Sequence, residues 1–129
     1  MDARRAGTSA TTRDTGSRWE DAVLAHAQRT GLVLIARNFS CRYGEIDLIM
    51  RDRDQIVFIE VRYRGDDARG GGTLSVGASK RAKLVRTAAL FLQQQPALAA
   101  TPCRFDVVGC RGSLAAPVFE WTRAAFDAF

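Results

Sequence analysis

Absences bound this 129-residue chain first: it has one histidine, three prolines, three cysteines and only two lysines. No apolar run approaches the ~20 residues that a membrane-spanning helix needs. Cys41, Cys103 and Cys110 are odd in number and lack a CxxC spacing, which argues against a disulfide framework and against a zinc site. Such cysteine usage suits a reducing cytoplasm. His26 falls mid-helix with no ligand-like companion, so it is expected to pack rather than to catalyse. The opening stretch, "MDARRAGTSATTRDTG", has no apolar segment of the kind a signal peptide carries. Residues 1–15 are expected to be a disordered tail ahead of a single domain over 16–129.

Charge is what the chain has in excess. Lys and Arg number 19 against 14 Asp and Glu, a net of +5, and all but two of the cations are arginine. Arginine forks onto phosphate. Nucleic acid is therefore a better partner than an anionic membrane, because no basic stretch is joined to an apolar face that lacks a core explanation.

The pattern predicts a helix over about 18–30, closed by Gly31, with Trp19, Ala22, Val23 and Ala27 buried; Ser17 and Glu20 have capping-box spacing. Strands follow at 32–38, 43–50 and 55–62, the last two joined by a turn at "RDRD". "GDDARGGG", residues 65–72, reads as a mobile loop. A second helix is expected from Ser79 as N-cap to about Gln95, ended by Pro96, with Ala82, Val85, Ala89 and Leu92 facing in. Strands at 103–110 and 117–122 complete an α-β-β-β-α-β(-β) order. A crossover through the second helix would return the fourth strand parallel to the third, in a mixed sheet with helices packed on it.

Two acids interrupt otherwise apolar strands, Asp47 in "GEIDLIM" and Glu60 in "VFIEVR". A turn centred between Arg53 and Asp54 sets Met50 opposite Val57 and Asp47 opposite Glu60, on one face. Like charges there need relief. A proton on one acid would supply it, or Arg62 two residues on, or a divalent cation: Mg²⁺ and Mn²⁺ take one or two carboxylates plus water.

"GEIDLI", "VFIEVRYR" and "RFDVV" closely resemble the YraN-like family of small bacterial proteins over about residues 16–110. That family is similar to archaeal Holliday junction resolvases and to PD-(D/E)xK nucleases of restriction-endonuclease-like fold. The resemblance implies a nuclease-like α/β domain that hydrolyses phosphodiesters in branched or structured DNA with Mg²⁺ or Mn²⁺, and a possible homodimer. Asp47 then takes the place of the metal-binding aspartate, Glu60 that of the second acid, Arg62 that of the lysine, and Glu20 that of the first-helix glutamate. Two departures matter: Trp19 replaces the glycine expected before Glu20, and Arg62 cannot give up a proton to serve as a base.

Blander roles compete. Glu20 also fits a capping box, and Asp47, Glu60 and Arg62 a salt-bridged group without metal; the same scaffold would then be a non-catalytic nucleic-acid-binding module. Arg37, Arg64, Lys80, Arg81, Lys83 and Arg86 are the candidate phosphate contacts, although the helix cations also fit a solvated face. Asp106 is expected to be structural, paired with Arg104 or a helix cation. Cys103 and Cys110 should face opposite ways.

Overall fold

Alternating and continuous apolar runs become five strands, and the two periodic stretches become helices. The elements are α1 (Thr12–Arg29), β1 (Val33–Cys41), β2 (Gly44–Asp52), β3 (Gln55–Tyr63), α2 (Ala78–Gln93), β4 (Cys103–Gly112) and β5 (Pro117–Phe126), with a 3₁₀ turn at Pro96–Leu98. The structure is a computed structural model that describes residues 12–63 and 76–127, and of residues 12–15 the backbone alone. Arg64 and the glycine-rich stretch 65–72 lie outside the described residues, as do residues 1–11.

The sheet runs β1-β2-β3-β4-β5. Neighbours are antiparallel except β3 and β4, which are parallel through the α2 crossover, as expected. The β2–β3 turn is two residues, Arg53 and Asp54, and Met50 faces Val57 in the predicted register.

One helix covers each face. Trp19, Val23 and Ala27 of α1 pack on Leu48, Met50, Val57, Ile59, Val108 and Cys110. On the other side Leu84, Ala88 and Phe91 of α2 pack on Ile49, Ile56, Phe58, Phe105 and Val107. Each fully buried aliphatic or aromatic side chain is worth ~1.5–3 kcal/mol, so these two layers hold the helices in place. Cys103 and Cys110 belong to opposite layers and are unbridged. His26 packs against Phe119, ring centroids 5.1 Å apart.

Both helices differ from expectation at their starts. α1 begins at Thr12, so residues 12–15 are helical, and Ser17 and Glu20 lie inside the helix, where no capping box forms. Gly16 and Ser17 weaken the helix without breaking it, since no proline interrupts its hydrogen bonds there. α2 has Gly77 rather than Ser79 at its N-cap position, with no side-chain cap.

The buried face of α2 is Leu84, Thr87, Ala88 and Phe91; Ala82 and Ala89 are exposed, and Val85 and Leu92 only partly covered. Leu84 and Phe91 carry more apolar surface than Ala82 and Ala89 and win the face. Thr87 can be buried among them because its hydroxyl donates to Lys83 O at 2.8 Å and accepts from the Cys41 thiol at 3.7 Å.

Candidate functional site

The β2–β3 ladder runs from Asp52↔Gln55 to Leu48↔Ile59 and ends there. One step beyond, Asp47 turns its carboxylate into the line of the sheet, where Oδ2 accepts the backbone N–H of Val61 at 2.8 Å. The acid thus stands in for a strand carbonyl. Continuing the same register puts Glu60 across from it.

On its other side, β1 pairs Arg37 with Leu48 and Phe39 with Ile46, which sets Asn38 across from Asp47. Strict alternation would put Ile46 and Leu48 on one face, yet Leu48 packs in the α1 layer and Ile46 in the α2 layer. Likewise Arg37 pairs with acids of α1 while Phe39 packs on Phe91 of α2. The two strands exchange faces together at Asn38 and Asp47. Asn38 makes this possible with φ 54°, a left-handed conformation that Asn tolerates better than most residues. Asp47 sits at the point of exchange with its carboxylate in the line of the sheet, near Glu60, which Lys80 reaches from the α2 side.

The site is rich in acid. Glu20 and Asp47 are close enough for each to shift the other's pKa. With its amide nitrogen turned to the acids, Asn38 donates to Glu20 Oε1 at 3.0 Å and to Glu45 Oε2 at 3.2 Å. Arg37 Nη1 pairs with Asp21 at 2.8 Å and Nη2 with Glu20 at 3.6 Å, while its Nε is buried without a hydrogen-bond partner. Burial, and then the charges of Glu60, Glu20 and Glu45, push Asp47 from the usual 3.8 to about 8 against the opposing effect of the Val61 N–H. Burial is also the main reason that Glu20 lies above its ordinary value, with Glu45 adding to it and Asp47 and Arg37 opposing.

Lys80, in the first turn of α2, places Nζ 3.5 Å from Glu60 Oε2. It was read from the sequence as a phosphate contact, and its partner here is one of the two acids. Arg62 lies two residues beyond Glu60, opposite Gly109 of β4 and partly buried. Arg37 pairs with Glu20 and Asp21 of α1 and remains partly exposed. Arg81, Lys83 and Arg86 are exposed. Asn38 and Glu45 were missed by sequence reasoning. Glu45 stands inside "GEIDLI" and was legible; Asn38 carried no signal beyond its tolerance of positive φ.

Asp106 behaves differently. It is 1% exposed, and its two oxygens accept from Arg104 Nε at 3.0 Å, Trp121 Nε1 at 2.9 Å and the Ala124 backbone N–H at 2.9 Å. Arg104 continues to Asp52 at 3.0 Å and Gln55 at 2.9 Å. Burial works against the Arg104 charge, but Asp106 and then Asp52 hold its pKa above the ordinary value. This is a structural network, as expected.

The model of the uncharacterised protein family UPF0102 matches residues 19–110, a span that includes Glu20, Asp47, Glu60, Lys80 and Asp106. Among relatives, a UPF0102 protein of Xanthomonas oryzae pv. oryzae (strain PXO99A) is 52% identical over 113 residues, covering 88% of this chain and 91% of its own. A second, from Pseudomonas aeruginosa (strain LESB58), is 46% identical over 118 residues, covering 90% and 94%.

Proposed function

The chain belongs to the uncharacterised protein family UPF0102, the YraN-like family, and for this member we propose a metal-dependent DNA endonuclease that cuts branched or flapped DNA on a restriction-endonuclease-like scaffold. One observation carries the reading: at the open end of the β2–β3 ladder, burial and then the nearby charges of Glu60, Glu20 and Glu45 raise Asp47 to about 8. A fold gains nothing in stability from such a cluster. Functional sites commonly hold groups perturbed in this way.

The donor set suits Mg²⁺ or Mn²⁺, hard cations that take one or two carboxylates and complete their octahedron with water. Asp47 and Glu60 would hold the ion. Among the described residues no three acids, histidines or cysteines converge to hold a metal ion, so the protein would supply few of the ligands. Bound there, the cation would polarise a phosphoryl oxygen and make a coordinated water more acidic. Glu20, close to Asp47, adds to the negative charge that would draw the ion. Lys80 and Arg62 supply positive charge near Glu60 where negative charge develops on the phosphate. A homodimer acting in the cytoplasm on two strands is part of this proposal.

The Lys80–Glu60 ion pair favours a second reading. It relieves one acid without a metal, and a scaffold relieved in this way would bind nucleic acid without cutting it.

Labelled Y-shaped, flapped and four-way DNA incubated with Mn²⁺ separates the two. Cleavage by wild type should fall more than ~100-fold in Glu60→Ala and rise in Arg62→Lys. Calorimetric titration with Mn²⁺ should show a site that Asp47→Ala removes. DNA binding with neither cleavage nor Mn²⁺ uptake would establish the second reading instead.

A further inference from the structure

The β1–β2 turn gathers positive charge in a way that neither the acid site nor the fold explains. Arg42 and Arg86 come from separate elements, yet their guanidinium carbons stand 5.3 Å and 5.6 Å from the centroid of one ring, that of Tyr43. Arg42 Nη2 also donates to the Tyr43 hydroxyl at 3.4 Å. Each cation gains ~0.5–1 kcal/mol from the ring at an exposed site, which is enough to offset the screened repulsion between them. Among the described residues no carboxylate pairs with Arg42, Arg81, Lys83 or Arg86.

The turn is fixed against α2. The Cys41 thiol donates to Thr87, and its sulfur accepts the Tyr43 backbone N–H at 3.4 Å. Gly44, with φ 154°, lies against the helix, where a Cβ would make ordinary contacts of 3.5 Å with Thr87 Oγ1 and 3.8 Å with Lys83 Cβ. Lys80, Lys83 and Thr87 follow one another at helical spacing, so one side of α2 leads from Glu60 to the turn. From Lys80 to Arg86 the helix rises ~9 Å. A nucleic-acid strand advances ~3.4 Å per phosphate, so the two ends lie about three nucleotides apart.

We propose that the β1–β2 turn is a phosphate clamp, in which Tyr43 presents the guanidinium groups of Arg42 and Arg86 to the backbone of a DNA strand. Lys83 lines the path from the clamp to Glu60. The position of the scissile bond, about three nucleotides from the clamp, rests on the nuclease reading above; the binding itself does not. Charge complementarity selects the polyanion, and two guanidinium groups held on a rigid support lose less freedom on binding than two free side chains do.

Fluorescence anisotropy with a flapped DNA in EDTA, repeated over a salt series, tests the clamp without requiring cleavage. Arg42→Gln and Arg86→Gln should each weaken binding about 3–10-fold and each reduce the slope of log K against log salt by about one. Tyr43→Ala removes no charge and should still weaken binding several-fold, whereas Tyr43→Phe should retain most of it. Thermal unfolding of each variant separates lost binding from lost fold. Wild-type affinity and slope in both arginine variants would overturn the clamp, as would wild type that binds phosphatidylserine vesicles but not DNA. Failure of the nuclease reading looks different: DNA is bound with the clamp variants impaired, and wild type never cuts it.

Discussion

Asp47 and Asp106 flank the same central strand and begin from the same local device. Each sits where a ladder breaks, Asp47 past the last β2–β3 pair and Asp106 where β5 bulges between Phe105 and Val107. Each carboxylate accepts a neighbouring strand's backbone N–H, that of Val61 at 2.8 Å and that of Ala124 at 2.9 Å. From there they diverge. Asp106 gains an arginine and an indole N–H, while Asp47 gains three acids. A carboxylate surrounded by donors holds a fold together; one surrounded by its own kind gains no such support from its neighbours.

Substitution should widen this contrast. The largest effect is expected in Asp106→Ala, which leaves the Trp121 and Ala124 N–H groups without an acceptor and Arg104 with Asp52 as its one carboxylate, and should cost ~3–5 kcal/mol in urea unfolding. Asp47→Asn should do the reverse. A folded-state pKa raised to about 8 means that the folded chain keeps its proton longer than the unfolded one, so this group favours folding most below the usual 3.8 and progressively less as pH climbs to about 8. The amide keeps an acceptor for Val61 while removing the charge. It should therefore stabilise the protein by about 1–3 kcal/mol near pH 8, flatten the pH dependence of the unfolding midpoint and abolish cleavage. Trp121→Phe removes one donor to Asp106 and should cost ~1–2 kcal/mol. Smallest of all, Lys80→Gln breaks a half-exposed ion pair and should change stability by less than ~1 kcal/mol while slowing cleavage. A larger loss of stability there would make Lys80 a structural partner like Arg104.

Much of the frame was legible because it rests on periodicity. The β-hairpin register, the parallel return of β4 and the pairing of Arg104 with Asp106 follow from spacing and turn length. The face of α2 was not, because apolar residues mark two overlapping stripes and only packing reveals that Thr87 has partners for its hydroxyl. Asp47 and Glu60 were identified as a pair by register. Their surroundings were not, because alternation assumes a regular strand and Asn38 breaks that assumption from another strand. Lys80 was read as a candidate phosphate contact, but its reach to Glu60 depends on how the crossover lands, which no local pattern encodes.

The bond between Val61 N–H and Asp47 Oδ2 has a use apart from the chemistry around it. A backbone amide held by a carboxylate is deshielded, and less so once that oxygen is protonated or its electrons are shared with a cation. The Val61 cross-peak in a ¹H–¹⁵N spectrum is therefore a built-in gauge, which should move as Asp47 ionises and would move again if an ion took hold. A single resonance reads the state of the site in the resting protein, with no DNA present and no reaction under way.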